Sequence, residues 1–461
     1  MRILMNLKKL LLPLACGILS MTVACSSSDP APNQASSEEN EKNKSSESDE
    51  KKGSSDAVES AVKLSPDADK GVADTKYKKW LEGHYVTMED EAKYYTEWAV
   101  DFPTVFKGYS PVGRVIWSAQ ADLASCKVTT VDQSKRAMKF RGCTVSEGIG
   151  YGMLISYFQG DEKIYKSLWN YSKGFRKYFN VKLMPWITSS FRYNKVDNSS
   201  ATDADLDIAT SLILQYYKTG DKAYLNDALT FVNAIWDTEI QQSTKLILSG
   251  NTATWKNDPT FNLSYFSPVA LRLFAKVDTK HDWKGVLDAM YKYMKKVQDA
   301  GTGVFPDWSD ASGNAKKPPN GSADKSYWLF DKESVRIPWR IAWDYYWYQD
   351  DRAKAILQKL NDFIVKKSNG DPTNVAALSK SYSWNTSVGA DGDVRNLISD
   401  ENLSMWCATG IIGNEKWLKA CTKELNSRKL GNSTSSYFSD ILQMMYTQLL
   451  NGAYAMPSKA K

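Results

Sequence analysis

Residues 204–236, ADLDIATSLILQYYKTGDKAYLNDALTFVNAIW, contain two helical patterns separated by a short Thr-Gly-Asp turn. The first is rich in small and apolar residues on all sides, which is typical of a helix buried around its whole circumference. In the second, apolar residues recur at intervals of three and four between charged residues, as in a helix with one buried face. The stretch therefore predicts a helical hairpin with one inner and one outer helix.

The same alternation recurs through residues 76–461, which hold about twelve helical stretches. Strand alternation is scarce, and KLILSGNTATW at 245–255 is the best hairpin candidate. We therefore predict an all-α domain over 76–461, in which six helical hairpins close into a double ring. The alternative is an open superhelical array, but such arrays have a fixed sequence period, and we find none.

The N-terminal residues predict export. Residues 1–24 read as a signal peptide, with Arg2, Lys8 and Lys9 beside an apolar stretch, and TVAC ends at Cys25. We expect Cys25 to be lipidated, which would anchor an exported cell-surface or outer-membrane lipoprotein to its membrane. Plain secretion is the alternative, because Thr22 stands where lipoprotein signals usually have leucine. Residues 25–75 are rich in Ser, Glu and Lys and predict a disordered linker.

Charge and cysteine usage restrict the partners. The net charge is +6, and the basic residues of the helical part are scattered, which favours a solvated surface over a nucleic-acid site. Only two histidines are present and no Cys or His cluster has ligand spacing, so we expect no metal site. We also expect no cofactor and a monomeric protein. Short separations favour the pairs Cys126–Cys143 and Cys407–Cys421, although sequence permits three connectivities or free thiols.

Several carboxylates fall at the starts of inner-type helices. Each alone is commonly a helix cap, but in a ring they would face one mouth. Two carboxyl groups are what glycosidic hydrolysis requires, and aromatic side chains provide stacking faces for sugars. The candidate acids are Glu147, Asp203, Asp205, Asp207, Asp331 and Glu333. The candidate aromatic residues are Trp117, Trp186, Tyr265, Trp308 and Trp339.

Five motifs make the family recognisable. In chain order, between residues 144 and 345, they are TVSEGIGYGM, SATDADLDIATSL, NLSYFSPVALRLF, FPDW and ESVRIPWRIAWDY, and the resemblance that they carry covers about residues 85–450. Together they resemble glycoside hydrolase family eight, which contains bacterial cellulases, xylanases, lichenases and chitosanases. The resemblance implies an (α/α)6 barrel with an open cleft and hydrolysis with inversion at the anomeric carbon.

The resemblance also implies roles for individual residues. Glu147 matches the general acid, and Asp203 matches the acid that grips the sugar at the cleavage point, with Asp205 as a second candidate. Tyr265 falls where the family has a tyrosine near the attacking water. Arg336 matches an arginine that orients the general base.

One position departs from the family pattern. Many members have aspartate as general base three residues before the arginine, where this chain has Glu333. Glu333 is our predicted base, and Asp331 or a residue of another loop is the alternative. We expect a linear β-linked polysaccharide of plant cell walls as substrate, xylan or β-glucan, with chitosan disfavoured by the basic balance. A catalytically impaired glycan-binding protein and a polysaccharide lyase are the rival functions.

Overall fold

The computed structural model describes residues 57–58, 60–92, 102–117, 143–189, 199–319, 327–374, 376–387, 400–431 and 436–461. The predicted signal peptide, Cys25, most of the predicted linker and Cys126 lie outside the described residues.

The described chain is mostly helical, with twelve helices of ten or more residues. They are α1 (Lys70–His84), α2 (Ser146–Gln159), α3 (Glu162–Tyr178), α4 (Thr202–Thr219), α5 (Lys222–Glu239), α6 (Pro268–Val277), α7 (Trp283–Asp299), α8 (Ile337–Tyr348), α9 (Asp351–Lys367), α10 (Asp400–Thr409), α11 (Glu415–Ser427) and α12 (Tyr437–Leu450). Shorter helices include Met88–Ala92, Phe102–Val105 and Ala253–Asn257, and 3₁₀ turns include Leu263–Tyr265 and Ser334–Arg336.

The even-numbered helices contact one another in cyclic order. Helix α2 packs on α4, α4 on α6, α6 on α8, α8 on α10, α10 on α12, and α12 on α2. Each odd-numbered helix packs on an even-numbered neighbour: α3 on α2, α5 on α4, α7 on α6, α9 on α8, α11 on α10 and α1 on α12. The helices therefore form an inner and an outer set.

Sequence explains which helix belongs to which set. In α4 every residue from Thr202 to Gln215 is buried, as expected from its small and apolar composition. In α5 burial recurs every three to four residues, for example at Tyr224, Ala228 and Phe231, so only one face meets the inner set. The helical hairpin predicted for residues 204–236 is confirmed.

Strands occur as five short antiparallel pairs in the described residues. The pairs are β1 (Ala57–Val58) with β10 (Met456–Pro457), β2 (Tyr85–Thr87) with β3 (Gly113–Val115), β4 (Cys143–Val145) with β5 (Ile187–Ser189), β6 (Ile240–Gln241) with β7 (Leu246–Ile247), and β8 (Leu329–Phe330) with β9 (Tyr382–Ser383). In the predicted hairpin at 245–255 only β7 is a strand. Its partner β6 precedes the stretch, and Ala253 begins a helix, so the second half of that prediction is wrong.

The N-terminal boundary of the folded domain also differs from the prediction. Helix α1 begins at Lys70, where the Asp69 side chain accepts a hydrogen bond from the Gly71 amide at 2.8 Å. Before it, Val62 and Leu64 pack against the core. The predicted linker over 25–75 is therefore wrong from about residue 57 onward, because residues 57–69 contain apolar side chains, such as Val62 and Leu64, that the preceding Ser/Glu/Lys-rich stretch lacks.

A disulfide joins Cys407 of α10 to Cys421 of α11, as predicted. Cys143 is also disulfide-bonded. No helix of the described part of the chain is both long and apolar enough to span a bilayer.

Candidate active site

Polar side chains from four inner helices meet at one end of the inner set, where these helices begin. Glu147 lies in the first turn of α2 and Asp203 in the first turn of α4. Arg336 directly precedes α8, and Tyr437 is the first residue of α12. Of the six acids predicted to share one mouth, Glu147, Asp203 and Glu333 are thus brought together where inner helices begin.

The Arg336 guanidinium is the centre of this cluster. Its Nη1 donates to Glu147 Oε2 at 2.7 Å and to Asp203 Oδ2 at 2.9 Å, and it lies 3.4 Å from the Tyr151 hydroxyl. Its Nη2 donates to Glu333 Oε2. Arg336 and Asp203 are each only 2% exposed, whereas Glu147 and Glu333 are 15% and 26% exposed. One buried cation therefore contacts three carboxylates, two of which face solvent.

Helix periodicity explains why Asp203 reaches this arginine. Residues four apart lie on one face of a helix, so Asp203 and Asp207 of α4 face Arg336 and Arg340 in register. Arg340 Nη2 donates to Asp207 Oδ2 at 2.8 Å, and both side chains are fully buried. The Asp207–Arg340 pair therefore joins α4 to α8 beneath the solvent-facing cluster.

Asp205 faces away from the cluster, so its prediction as a substrate-binding residue is wrong. It is fully buried, accepts a hydrogen bond from the Met184 amide at 3.3 Å, and lies near the buried Glu239 of α5. Burial and the nearby Glu239 charge raise the pKa of Asp205 well above its usual range, and burial raises the pKa of Glu239 to about 7. The two acids therefore form a buried structural pair in which Asp205 holds the proton.

Glu147 has the environment of a proton donor. Burial raises its pKa to about 7 against the opposing charge of Arg336, and the neighbouring Asp203 carboxylate adds to the rise. The Tyr437 hydroxyl donates to Glu147 Oε1 at 2.9 Å, which acts in the lowering direction. A carboxyl with this pKa keeps its proton near neutral pH.

The glycines around Glu147 serve helix packing. Gly148 and Gly150 lie inside α2 in ordinary helical conformation, so they are not needed for an unusual backbone conformation. A Cβ at Gly150 would lie 3.1 Å from the Ala204 carbonyl, and one at Gly148 would lie 3.0 Å from the Tyr437 hydroxyl. Their absent side chains allow α4 and the tyrosine to approach α2.

Glu333 is held from two sides. Besides Arg336, the Asn262 amide donates to Glu333 Oε2 through Nδ2 at 2.9 Å. Asp331, the alternative base, makes no hydrogen bond to the guanidinium within the described ranges. Its backbone amide instead donates to Asp307 Oδ1 at 3.1 Å.

Asp307 of the FPDW motif organises the turn that carries Glu333 and Arg336. Its Oδ1 also accepts from the Ser334 amide at 2.9 Å and from the Ser334 hydroxyl at 2.6 Å. Burial, together with the charges of Glu333 and Asp331, raises the pKa of Asp307 to about 7. Asp307 thus connects the loop at 305–309 to the turn before α8.

The predicted aromatic residues separate into two groups. Trp186 is 38% exposed, and its carbonyl accepts from the Ser146 amide, which places it beside the start of α2. Trp117 is partly exposed, and its amide donates to the Cys143 carbonyl at 2.9 Å. These backbone contacts place both residues close to the start of α2 in the chain packing. Tyr265 is also partly exposed, and its ring centroid lies 5.4 Å from the Arg336 guanidinium carbon.

The other two predicted platforms are buried, and these predictions are wrong. Trp308 is 3% exposed and stacks on Trp255 with ring planes 5° apart. Trp339 has no exposed surface, and its indole donates to the Tyr454 hydroxyl at 3.0 Å. Neither ring has a face available for a sugar in the described structure.

Comparison with known proteins identifies the family. A family model described as glycosyl hydrolases family 8 matches residues 128–451, which is more than half of the chain. The chain belongs to this family. This family 8 chain is 30% identical over 316 residues to endoglucanase C of Ruminiclostridium cellulolyticum, covering 68% of this chain and 64% of that protein. It therefore spans less than two thirds of that relative's length.

Other family 8 relatives are covered more fully. The chain is 30% identical over 350 residues to a beta-glucanase of Niallia circulans, covering 71% of this chain and 82% of that protein. The structure of a beta-1,3-1,4-glucanase from Paenibacillus sp. X4 superposes with a TM-score of 0.67 at 21% identity, over 87% of this chain and 98% of that one. This likeness shows a common fold.

Three site residues of this family 8 chain were not predicted as functional from sequence: Tyr437, Asn262 and Asp307. Asn262 and Asp307 belong to motifs that carry the family resemblance, NLSYFSP and FPDW, so their position in those motifs was the available signal. Tyr437 lies 290 residues after Glu147, and no local pattern marks it.

Proposed function

We propose that this chain is an inverting glycosidase that cleaves β-1,4-linked plant cell-wall polysaccharide in an (α/α)6 barrel. The cyclic packing order of the even-numbered helices, each with an odd-numbered partner, supports the barrel. The observation that carries the activity is the convergence of Glu147, Asp203 and Glu333 on Arg336, with the pKa of Glu147 raised to about 7. A carboxyl group that holds a proton and a second carboxyl group at one site match the requirements of glycosidic hydrolysis.

In the proposed reaction Glu147 protonates the oxygen that leaves the anomeric carbon. Glu333 accepts a proton from the water that attacks the opposite face of the sugar. Both carboxylates hydrogen-bond one planar guanidinium, so their bonded oxygens lie no more than about 8 Å apart. This limit allows the separation of about 6.5–9.5 Å that inverting glycosidases use to accommodate a water molecule.

The relatives favour β-glucan over xylan as the preferred substrate. Both sequence relatives at 30% identity are named as glucanases. Xylan remains the second candidate, since the structure of Rex8A from Paenibacillus barcinonensis with xylose shares the fold, with a TM-score of 0.61 at 17% identity over 80% of this chain and 94% of that one. Trp186, exposed beside Glu147, is the proposed stacking platform of the cleft.

A polysaccharide panel with product analysis tests this proposal. Purified protein is incubated with lichenan, carboxymethyl cellulose, xylan and chitosan, and new reducing ends are counted. We expect the highest rate on a β-glucan. Binding of glycan without new reducing ends would overturn the hydrolase proposal. Unsaturated products from a uronic-acid polymer, included as a fifth substrate, would indicate a lyase.

The pH dependence of hydrolysis should report Glu147. An acid with a pKa of about 7 in the free protein is protonated below that pH, so kcat/KM should fall as the pH rises through about 7. Tyr437→Phe removes a hydrogen bond that lowers the pKa of Glu147, so the alkaline limb should move to higher pH. The measurement is kcat/KM against pH for both proteins.

A matched control is Tyr77→Phe, which removes the hydroxyl that donates to Asp161 at 3.1 Å, far from the cluster in the packing of α1. Its alkaline limb should stay where that of the wild type lies. If the alkaline limb of the Tyr437→Phe profile stays at the wild-type pH, that limb cannot be assigned to Glu147.

We further propose export with lipid attachment at Cys25, a monomeric state, and a short tether between Cys25 and the docked segment at residue 57. The supporting observation is the charged and apolar pattern of residues 1–24 followed by TVAC. The mass of the N-terminal peptide of protein extracted from membranes tests lipid attachment, since an unmodified N-terminus would contradict it.

A further inference from the structure

Glu333 has one more methylene group than the aspartate that many family members have at this position, so its carboxylate can adopt more positions. Glu333 lies just before the 3₁₀ turn Ser334–Arg336, outside any α-helix, and its side chain is 26% exposed. A general base must hold its carboxylate within a few tenths of an ångström of the productive position, and misplacement by about 1 Å can cost about 100-fold in rate. A partly exposed glutamate therefore needs an external anchor.

Asn262 has the properties of such an anchor. It is fully buried, and its Oδ1 accepts hydrogen bonds from the Ser264 amide at 3.0 Å and from the Ser264 hydroxyl at 2.6 Å. These two bonds define the orientation of the amide group, because a flipped amide would place an NH₂ group against the Ser264 amide. The NH₂ group must then face Glu333, where it donates to Oε2 at 2.9 Å.

The backbone around Asn262 is also fixed. Phe261 exchanges two hydrogen bonds with Ser309, at 2.7 and 3.0 Å, which ties this loop to the one that contains Asp307. Asn262 caps the 3₁₀ turn Leu263–Tyr265, so the turn that carries Tyr265 also carries the anchor. The donor is therefore held by contacts that do not involve Glu333.

We propose that Asn262 is the positioning residue of the general base, acting together with Arg336 on Glu333 Oε2. Within the described residues Glu333 Oε1 receives no hydrogen bond, so Oε1 is the oxygen that accepts the proton of the attacking water. As that proton moves to Oε1, the water oxygen bonds to the anomeric carbon, the glycosidic C–O bond breaks, and the leaving oxygen takes the proton of Glu147. This inference rests on the proposed function.

Two substitutions test the role of Asn262. Asn262→Ala removes the anchor, and we expect kcat to fall about 10- to 100-fold while KM stays within about twofold. Asn262→Asp keeps the shape and the acceptor for Ser264 but presents an oxygen to Glu333, so its kcat should fall at least as far. Asn361→Ala is the matched control, because Asn361 is also buried but donates to Thr409. It should lower Tm and leave kcat within about twofold.

A double-mutant cycle separates positioning from a general structural effect. In Glu333→Asp the carboxylate is withdrawn by about one bond length from Asn262, so adding Asn262→Ala should cost less than about threefold in kcat. Wild-type kcat in both Asn262 variants would overturn the proposal, as would an undiminished loss in the Glu333→Asp background.

Glu333→Gln distinguishes this proposal from the underlying function. If Glu333→Gln retains wild-type kcat, the general-base assignment itself fails. If it is inactive while the Asn262 variants match the wild type, only the positioning role fails.

Discussion

Glu147→Gln should reduce kcat on the preferred polysaccharide by about 100- to 10,000-fold, the contribution typical of a positioned general acid. Glutamine fills nearly the same volume and can still accept a hydrogen bond from Arg336 through its carbonyl oxygen, but it has no acidic proton for the leaving oxygen. The loss should appear in kcat, and the alkaline limb near pH 7 should disappear from the residual activity.

Glu239→Gln is the matched control for this experiment. Glu239 is also a buried acid whose pKa burial raises to about 7, but it lies in the structural pair with Asp205. Asp205 holds the proton of that pair, and the carbonyl oxygen of a glutamine at position 239 can still accept from the Ser200 hydroxyl, so activity should stay within about threefold of wild type. Wild-type activity in Glu147→Gln would show that Glu147 is not the general acid.

Arg336→Met should abolish activity and destabilise the fold. Removal of one partner from a buried ionic cluster typically costs about 3–5 kcal/mol, because the remaining charges stay buried without compensation. Arg336 is 2% exposed and contacts Glu147, Asp203 and Glu333, so three carboxylates lose their common cation. The free energy of unfolding, measured with urea, and kcat should both report this loss.

The destabilisation of Arg336→Met should depend on pH. Without the cation, the pKa values of the buried carboxyls rise further above their unfolded values. Groups with raised folded pKa values bind protons on folding, so stability is lost as the pH rises. The deficit relative to wild type should therefore be larger at pH 8 than at pH 5.

Arg272→Met provides the comparison for Arg336→Met. Arg272 pairs with Asp344 and Asp350 between helices, away from the cluster, and its removal should lower stability with kcat preserved below the melting range. Equal stability of Arg336→Met and wild type at every pH would contradict the central role of this arginine.

The helical architecture was predictable because it depends on local periodicity. In the hairpin at 204–236 the first helix has small and apolar residues on all sides, and the second has apolar residues on one face. The burial of each helix follows from its pattern. The start of the folded domain was not predictable in the same way. Residues 57–69 mix apolar and polar residues without a helical or strand pattern, and Ala57–Val58 pair with Met456–Pro457, almost 400 residues later.

Burial of individual aromatic residues could not be predicted from composition. Trp339 lies one turn from Arg336 and Trp343, and all three belong to the buried inner set, so proximity to a motif did not imply access to solvent. Trp186 differs because it lies in a loop, where its ring is exposed. Position on an inner helix or in a loop was the distinguishing physical factor.

Some residues of the candidate site could be predicted from sequence motifs, and others could not. Glu147, Asp203 and Arg336 follow from motifs, and the helix starts bring them together. Asp205 has the same local sequence environment as Asp203, but a shift of two residues turns it to another face of α4. Asn262 and Tyr437 reach the acids only through tertiary packing.

The anomeric form of the first product directly tests whether hydrolysis inverts the anomeric carbon. ¹H NMR of a β-glucan digest in its first minutes, before mutarotation, distinguishes α from β reducing ends by their anomeric proton signals. Attack by a water that Glu333 activates on the face opposite the leaving group predicts that α product appears first and β product follows by mutarotation. Initial release of β product would mean retention, and it would contradict the roles proposed for Glu147 and Glu333.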